Sequence, residues 1–236
     1  MPNLSIVTVV YNDLNGIKKT IKSVSSLKYR DFEYIVVDGN SDDGTKEFLE
    51  NNRDKITKLI SEKDNGIYDA MNKGILNCKG KYIHILNAGD TYFENDLFNN
   101  DIFEKNKDFI AFSVLKRGKK DRIWQPHFSN LYKSIRISHP GLIVKNNFYK
   151  NVGNYSLNFK YISDSIFILK NVNIDNVTFH NQILVDMEWG GITTIPTTQN
   201  LKERLILINN YNINFFIKVL LKVYTFFIHM KSLYLR

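Results

Sequence analysis

Residues 32–45 read FEYIVVDGNSDDGT, and this stretch decides the fold. The run from Phe32 to Val37 is almost continuously apolar, which is typical of a strand buried on both faces of a parallel sheet. From Asp38 to Gly44 the residues are small, acidic or turn-forming. The stretch therefore predicts a buried strand whose carboxyl end opens into a polar loop.

The segments on both sides repeat this alternation of strand, loop and helix. The apolar runs predict further strands at Ser5 to Val10, Ile56 to Ser61 and Lys81 to Leu86. Apolar residues at helical spacing predict helices over residues 14–27, 45–51 and 66–77. Strands that alternate with helices imply βαβ units, and hence an α/β fold with a mostly parallel sheet flanked by helices.

The second half of the chain is less regular. Its patterns predict strands at Ile110 to Leu115, Val172 to Phe179 and Ile183 to Met187, and a helix at Ser163 to Asn171. No Pro- or Gly-rich linker separates the halves, so a chain of 236 residues is expected to form one domain with a short appendage.

The composition is that of a globular protein with excess positive charge. Hydrophobic residues make up 43% of the chain, and the formal net charge is +8. This charge favours an anionic partner (nucleic acid, a phosphorylated substrate or an anionic membrane), although a solvated basic surface explains it equally well. A single cysteine, Cys78, excludes an internal disulfide and a Cys-rich zinc site, and it fits a reducing compartment. No basic segment precedes the first apolar run, which is therefore interpreted as a strand and not as a signal peptide.

Polar clusters follow all four early strands, at residues 11–13, 38–43, 62–66 and 87–90. Ligands of open parallel sheets bind at the carboxyl ends of the strands, so these clusters predict a binding site along one edge. Crowded carboxylates repel one another unless a cation joins them, and a divalent metal that bridges phosphates would do so. The alternative is that these strand ends simply lead into polar loops.

Missing motifs count against several enzyme classes. The chain has neither GxGxxG nor GxxxxGK[ST] after its first strand, which argues against a dinucleotide dehydrogenase and a P-loop NTPase. HExxH and GxSxG are absent as well, so a zinc protease and an α/β-hydrolase have no support.

Four motifs together resemble a known family. They are a strand that ends in Tyr11-Asn12, IVVDGNSDDGT at 35–45, NGIYDAMNKGI at 65–75 and GKYIHILNAGD at 80–90. They resemble the family-2 inverting glycosyltransferases of GT-A fold, particularly bacterial enzymes that assemble surface polysaccharides of the colanic-acid and O-antigen types. The resemblance is clear over residues 3–98 and weaker to about residue 193.

The resemblance implies a GT-A domain with a nucleotide-binding, Rossmann-like sheet. Residues 1–98 would form its nucleotide-sugar-binding half, residues 99–200 its acceptor-binding and catalytic-base half, and residues 201–236 a C-terminal amphipathic helical extension. The implied reaction is transfer of a sugar, with hexose expected, from a UDP- or GDP-sugar to a saccharide or lipid-linked acceptor.

The resemblance also places residues around the donor. Those expected at the nucleotide and its sugar are Val9, Tyr11, Asn12, Asp38, Asn65, Gly66, Asn72, Lys73, Asn87, Ala88 and Gly89. Many relatives carry Arg where this chain has Met71, and Lys73 is the nearest cation that could replace it. Where the family commonly has Asp-x-Asp, this chain reads Asn87-Ala88-Gly89-Asp90, which leaves Asp90 as the expected ligand of Mg²⁺ or Mn²⁺.

The family's catalytic base is an Asp at the start of a helix, after a Gly-x-Tyr/Phe-Asp/Ser stretch. Here residues 153–156 read GNYS and precede Asp164, which is therefore the expected base. In an inverting transfer the acceptor hydroxyl must lose a proton as it attacks, and a carboxylate within hydrogen-bond reach can take it. The alternative is that Asp164 serves only as a helix N-cap.

Two later segments have weaker assignments. His139 lies where relatives often carry His and would shape the acceptor pocket, with a purely structural His as the alternative. The loop at Trp189, Gly190 and Gly191 resembles a flap that closes over the diphosphate, with an ordinary turn as the alternative.

The last 24 residues read INFFIKVLLKVYTFFIHMKSLYLR and predict an amphipathic helix. Its polar residues form one narrow stripe that includes Lys218, Lys222 and Arg236, and charge interrupts it too often for a transmembrane span. The helix is expected to lie on an anionic membrane surface, with its basic side chains reaching the headgroups. This would make the protein cytoplasmic and peripheral on the inner face of the cell membrane. The alternative is a helix packed on its own domain or on a second subunit.

Three rival functions remain open at this point. A nucleotidyltransferase also uses an α/β sheet and acidic metal ligands, but the glycine- and Arg-rich triphosphate loop is missing. A nucleotide-sugar-binding protein without catalysis would explain the altered Asp-x-Asp. Nucleic-acid binding is suggested by charge alone, and no recognised binding signature supports it. Nucleic acid is therefore not an expected partner.

Overall fold

The computed structural model describes residues 1–118, 120–129, 134–188 and 197–234. The strands are β1 Leu4–Val10, β2 Phe32–Asp38, β3 Lys58–Ser61, β4 Tyr82–Ile85, β5 Thr91–Tyr92, β6 Phe109–Arg117, β7 Arg122–Trp124, β8 His127–Ser129, β9 Ser134–Arg136, β10 Leu142–Lys145 and β11 Val177–Glu188. The helices are α1 Leu14–Ser26, α2 Thr45–Glu50, α3 Ile67–Leu76, α4 Asp101–Glu104, α5 Asn146–Val152, α6 Ser163–Asn171, α7 Thr198–Asn210 and α8 Phe215–Tyr234. Short 3-10 turns lie at Arg53–Lys55 and His139–Gly141.

Most of the strands lie in one sheet, in the order β3-β2-β1-β4-β10-β6-β11-β5. The short strand β7 pairs with the carboxyl-terminal half of β6. Strands β1 to β4 are mutually parallel, and β10 is antiparallel to both β4 and β6. Because β4 and β6 are both antiparallel to β10, they run in the same direction. The strand β11 is parallel to β6. The carboxyl ends of β1, β2, β3, β4, β6 and β11 therefore lie on the same edge of the sheet.

The sheet is covered by helices on both faces. On one face α1 contributes Ile17, Ile21 and Val24 to a buried cluster. On the other face α3 and α6 contribute Met71 and Phe167 to a second cluster. This arrangement explains why β1 and β2 are apolar throughout, since both faces of the parallel strands are buried.

The predicted α/β fold with a mostly parallel sheet is confirmed, and the second half differs from its prediction in detail. Residues 172–176 are not part of a strand, and the two strands predicted at 172–187 form the single strand β11, whose pairing with β6 shifts register near Ile183. The antiparallel strand β10 and the helix α5 were not predicted. Because β10 lies between β4 and β6, both halves of the chain build one sheet.

A buried carboxylate attaches α7 to the segment before α6. Glu203 Oε1 accepts a hydrogen bond from the N–H of Lys160 at 3.0 Å, and Oε2 accepts one from the N–H of Tyr161 at 2.8 Å. Glu203 itself is buried. The helix α7 is thus attached to the folded domain.

The helix α8 exposes its apolar face. Its most exposed residues are Phe215, Phe216, Leu220, Tyr224 and Phe227, which are 65–74% exposed. Lys218 and Lys222 of the polar stripe, by contrast, are only partly exposed, and Lys218 Nζ donates a hydrogen bond to the carbonyl oxygen of Asn209 in α7 at 2.9 Å. Arg236 lies outside the described residues.

Lys218, one residue of the stripe, is thus bonded to the last turn of α7, while the apolar side chains named above are exposed. Contact of the stripe with lipid headgroups stays a prediction. Among the helices in the described residues, none is long and apolar enough to cross a bilayer.

Candidate active site

The loops that follow β1 and β2 are joined by hydrogen bonds at the edge of the sheet. The N–H of Asn12 donates to Ser41 Oγ at 2.8 Å, and Asn12 Oδ1 accepts from the N–H of Asp42 at 2.9 Å. Asn12 has a φ of 49°, a left-handed conformation that Asn tolerates better than most residues. The first two polar clusters therefore form one surface, as the sequence predicted.

Asp38 is fully buried at the end of β2 and organises its loop. Its carboxylate accepts a hydrogen bond from the N–H of Ser41 at 3.2 Å and another from Ser61 Oγ at 2.7 Å. These donors offset the cost of burying the carboxylate. A Cβ on Gly39 would lie 2.5 Å from the Asp64 carboxylate, so the loop after β3 also packs here.

Tyr11 and Val9, both expected at the nucleoside, differ in exposure. The side chain of Tyr11 is 65% exposed, and its ring is accessible for stacking against a planar base. Val9 is buried in the core, and its carbonyl oxygen accepts a hydrogen bond from the N–H of Ala88 at 3.1 Å. Val9 therefore supports the site from within the sheet, and Tyr11 lies on its surface.

The start of α3 is shaped by a glycine and a carboxylate. Gly66 precedes the helix with a φ of 112°, which favours glycine because it lacks a Cβ. The N–H of Asn65 donates to Asp69 Oδ2 at 2.9 Å. Asn65 and Gly66 are both exposed, in the loop that follows β3.

Residues further along α3 are engaged within the protein. The side-chain amide of Asn72 exchanges two hydrogen bonds with the backbone of Tyr155, at 2.8 and 2.9 Å. Lys73 Nζ lies 2.9 Å from Glu62 Oε1, so a carboxylate already neutralises its charge. Met71 is buried in the core. Asn72 thus ties α3 to the segment that leads into α6.

The segment from Asn87 to Asp90 forms a tight turn on Thr20 of α1. The N–H of Gly89 donates to Thr20 Oγ1 at 3.1 Å, and Thr20 Oγ1 donates to the carbonyl oxygen of Asp90 at 2.7 Å. Gly89 has a φ of 91°, a left-handed value that the turn requires. These bonds hold the turn at the carboxyl end of β4.

Asn87 and Asp90 offer oxygen atoms that fit a divalent cation. Asn87 Oδ1 is buried without a hydrogen-bond partner, a costly state for a carbonyl oxygen. With the Asp90 carboxylate it could bind a metal that takes its remaining ligands from phosphates and water. Across the described ranges, no three His, Cys, Asp or Glu side chains form a metal-binding group.

Asp164 lies in the first turn of α6, whose N-cap residue is Ile162. The alternative interpretation of Asp164 as the N-cap is therefore wrong. Its Oδ1 accepts a hydrogen bond from Tyr68 Oη at 2.8 Å and another from the N–H of Ser165 at 2.8 Å. The half-buried carboxylate is thus oriented by two donors.

His139 is packed in a cluster of tyrosines near Asp164. Its Nε2 lies 3.2 Å from Tyr155 Oη, which also contacts Tyr149 Oη at 3.1 Å. Burial lowers the pKa of His139, and the charge of Asp164 partly opposes this effect. A buried imidazole within a hydroxyl network fits the structural alternative for His139, and its role toward an acceptor stays a prediction. The proposed flap residues Trp189, Gly190 and Gly191 lie outside the described residues.

Two residues of the site were not identified from the sequence. Tyr68 bonds to Asp164 across 96 positions of the chain, a separation that no local pattern reveals. Lys116 lies near the carboxyl end of β6, and its positive charge is attracted to both Asp164 and Asp90. The signal that could have found Lys116 is a charge directly after a buried strand, at the edge where ligands bind.

Comparison with known proteins gives the chain's relatives. The family model described as Glycosyl transferase family 2 matches residues 5–168. An uncharacterized glycosyltransferase of Mycobacterium tuberculosis is 28% identical over 179 residues, which cover 72% of this chain and 68% of the relative. A PGL/p-HBAD biosynthesis glycosyltransferase of Mycobacterium bovis is 25% identical over 217 residues, which cover 86% of this chain and 84% of the relative.

Solved structures share the fold at lower identity. S. aureus TarS 1-349 in complex with UDP-GlcNAc matches with a TM-score of 0.68 and 16% identity, covering 92% of this chain and 69% of that one. The mannosyltransferase PcManGT from Pyrobaculum calidifontis, in complex with GDP-Man and Mn²⁺, matches with a TM-score of 0.66 and 14% identity, covering 89% and 63%. This chain spans 41% of a longer TarS structure. The family model covers well over half of the 236 residues, and the chain therefore belongs to glycosyl transferase family 2.

Proposed function

We propose that this chain transfers a sugar from a nucleoside-diphosphate sugar to an acceptor hydroxyl, with inversion at the anomeric carbon. The observation that carries the proposal is that both carboxylates lie at the carboxyl ends of the parallel strands. Asp90 ends the turn after β4, and Asp164 is bonded at 2.8 Å to Tyr68, in the first turn of α3 after β3. A direct displacement needs one carboxylate to accept a proton and charge stabilisation at the departing diphosphate. Asp164 and the turn that ends at Asp90 are suited to these two tasks.

In the proposed reaction the acceptor hydroxyl attacks the anomeric carbon from the face opposite the leaving group. Asp164 takes the hydroxyl proton, and Tyr68 keeps its carboxylate in place. The bond between the anomeric carbon and the diphosphate oxygen breaks, and its electron pair leaves with the nucleoside diphosphate. Mg²⁺ or Mn²⁺ bound at Asn87 and Asp90 would neutralise negative charge on the diphosphate.

The nucleoside would bind where the loops after β1 and β2 meet. Tyr11 offers an exposed ring for the base, and the loop that Asp38 organises offers polar groups for the ribose. A UDP- or GDP-sugar is the expected donor, which is supported by the UDP-GlcNAc and GDP-Man complexes of the structural neighbours. We expect a hexose to be transferred to a saccharide or lipid-linked acceptor in surface polysaccharide synthesis.

We further propose that α8 holds the enzyme on the cytoplasmic face of an anionic membrane. Five of its apolar side chains are 65–74% exposed on one face, which is unusual for a helix facing only water. Because Lys218 of the polar stripe contacts α7, the helix would lie between the domain and the lipid, with its apolar face inserted. The net charge of +8 would add attraction to anionic headgroups.

A ligand screen followed by an activity assay tests the proposed reaction. Thermal unfolding would be measured with UDP-, GDP-, CDP- and dTDP-sugars, each with Mg²⁺, Mn²⁺ or EDTA. A donor at a hundred times its Kd should stabilise the fold by about 2.7 kcal/mol. The bound donor is then incubated with saccharide acceptors, and the anomeric configuration of the product is read by NMR.

Three results would contradict the proposal. Binding of a donor without transfer to any saccharide or lipid-linked acceptor would favour a binding protein. Release of pyrophosphate from a nucleoside triphosphate and a sugar phosphate would favour a nucleotidyltransferase. A product that retains the anomeric configuration of the donor would exclude the direct displacement mechanism.

A further inference from the structure

Lys116 is a cation at the edge of the sheet where the proposed donor would bind. It is the penultimate residue of β6, and β6 runs in the same direction as β4 because both are antiparallel to β10. Its backbone is therefore on the same edge as Asp38 and the turn that ends at Asp90. No feature of the family resemblance pointed to this residue.

The side chain of Lys116 is held by an aromatic ring and attracted by two carboxylates. Lys116 Nζ lies 4.6 Å from the centre of the Trp124 ring in the neighbouring strand β7. Partial burial lowers the pKa of Lys116, while the charges of Asp164 and Asp90 oppose this effect. The ammonium group therefore lies over the Trp124 ring, near the carboxyl end of β6 and on the same edge of the sheet as the turn that ends at Asp90.

The charges of the proposed complex leave a role for this cation. A bound diphosphate would add about two negative charges to the two carried by Asp164 and Asp90. One divalent cation would neutralise only two of these four negative charges. The other candidate on α3, Lys73, is already bound to Glu62 at 2.9 Å. Met71 occupies the position where relatives carry Arg and is buried.

We propose that Lys116 is a donor-site residue whose ammonium group binds the diphosphate of the nucleotide sugar and stabilises the charge that develops on it as the sugar departs. This inference rests on the proposed function. Trp124 acts as a positioning residue, because its ring covers one side of the ammonium group and directs it toward the site.

The test compares binding of charged and uncharged probes to three variants. Lys116→Met removes the charge, Lys116→Gln keeps a polar side chain, and Lys116→Arg keeps the charge. Lys150→Met is the matched control, because Lys150 is an exposed residue of α5. Calorimetry would measure the affinities for UDP and for uridine, each with Mn²⁺ and with EDTA. GDP and guanosine replace them if the wild type prefers guanine. Circular dichroism and the midpoint of urea unfolding would establish that each variant folds.

We expect Lys116→Met and Lys116→Gln to bind the nucleoside diphosphate about 10- to 100-fold more weakly, the range of a charge-assisted contact. Binding of the nucleoside should change less than twofold. Lys116→Arg should restore diphosphate binding to within about fivefold of the wild type, and Lys150→Met should match the wild type. With a donor and acceptor in hand, kcat of Lys116→Met should fall as well, because the diphosphate carries most charge in the transition state.

Two results would overturn the assignment of Lys116 while leaving the proposed function intact. The first is wild-type affinity of Lys116→Met for the nucleoside diphosphate. The second is an equal loss of nucleoside and diphosphate binding in every variant including Lys116→Arg, which would show that the residue only supports the shape of the site. If instead the wild type binds no nucleoside diphosphate, the proposed function itself fails.

Discussion

The hydroxyl group of Tyr68 donates a hydrogen bond to Asp164 Oδ1 at 2.8 Å and so joins α3 to α6. Burial and the adjacent charge of Asp164 raise the pKa of Tyr68, so the tyrosine remains a donor at any pH at which the protein is folded. The helix that carries the NGIYDAMNKGI motif therefore also orients the proposed base. Tyr68 is a positioning residue for Asp164.

Replacing Tyr68 with Phe should remove this bond with little change in packing. Without this bond the Asp164 carboxylate is oriented by one donor fewer for taking the proton of the acceptor hydroxyl. We expect kcat to fall about 3- to 10-fold, as for loss of one hydrogen bond to a charged group. KM for the donor should change little, and an equal loss of kcat and of donor affinity would instead indicate a purely structural effect.

Asp164→Asn should lower kcat by about 10²–10⁴-fold, because the amide cannot accept the proton of the acceptor hydroxyl. Donor affinity should stay within about threefold, since the amide oxygen can still accept the bonds from Tyr68 and Ser165. Asp54→Asn, at an exposed position, is the matched control. Near-normal turnover of Asp164→Asn would exclude this residue as the base.

Asp38 and Asp90 should affect the donor in different ways. Asp90→Asn should abolish the dependence of donor affinity on Mn²⁺ while leaving nucleoside binding unchanged. Asp38→Asn should weaken both the donor and the free nucleoside. It should also destabilise the fold by about 1–3 kcal/mol, because its amide replaces a buried acceptor of two hydrogen bonds. Titrations of uridine and of the donor, with and without metal, separate these effects.

His84 should make the protein less stable in acid. Its Nε2 lies 2.8 Å from the carbonyl oxygen of Pro140 and must donate to it, so Nδ1 accepts from Tyr92 Oη and the ring is neutral. Full burial lowers the pKa of His84 to about 4 from 6.5. The unfolded chain then binds the proton first, and stability should fall by up to about 3 kcal/mol as the pH drops from about 6.5 to about 4.

Urea unfolding of wild type and His84→Gln at several pH values measures this contribution. The difference in unfolding free energy between the two should shrink as the pH falls through this window. A difference that is constant from pH 7 to pH 4 would show that His84 does not titrate as stated.

The membrane proposal predicts that the apolar face of α8 is required for vesicle binding. The intact protein should float with anionic vesicles and less with neutral ones, whereas Leu220→Glu/Phe227→Glu should remain in the soluble fraction. Leu76→Glu/Ile174→Glu is the matched control, since both side chains are at least 59% exposed outside α8. A truncation should end after Asn214 and not earlier, because Tyr211 is buried and hydrogen-bonded to Arg136.

Self-association through the same face is the alternative to membrane binding. If sedimentation shows a dimer that the Leu220→Glu/Phe227→Glu substitution dissociates, and the wild type does not float with either vesicle, the face is a subunit interface and the membrane proposal is wrong.

The first half of the fold could be predicted because its signals are local. Strands such as β1 and β2 are apolar along their whole length, and each ends in a polar loop, so their direction and their common edge follow from pattern alone. The strand β10 has four residues and no distinctive pattern, and its antiparallel place between β4 and β6 depends on partners distant in sequence. The sequence patterns divided β11 into two strands near Ile183, where its pairing with β6 shifts register.

Contacts between residues distant in sequence also limited the prediction of the site. Asp38 ends β2 and Asp90 ends the turn after β4, so both could be located from their motifs, and Asp164 was found through a family resemblance. The contact of Tyr68 with Asp164 joins residues whose proximity only the folded sheet creates. The sequence could not decide what α8 packs against, because the stripe of polar residues fits a headgroup layer and a neighbouring helix equally well.

The carboxylate of Glu203 has a consequence for how the protein is made. It accepts the N–H groups of Lys160 and Tyr161, directly before the helix that carries Asp164. A ribosome releases the chain from its N-terminus, and folding generally proceeds in that order. The loops after β1 and β2 are thus available early, whereas the segment leading to Asp164 is fixed only after Glu203 has emerged. We expect a nascent chain to acquire its nucleotide-facing surface before it can remove a proton from an acceptor.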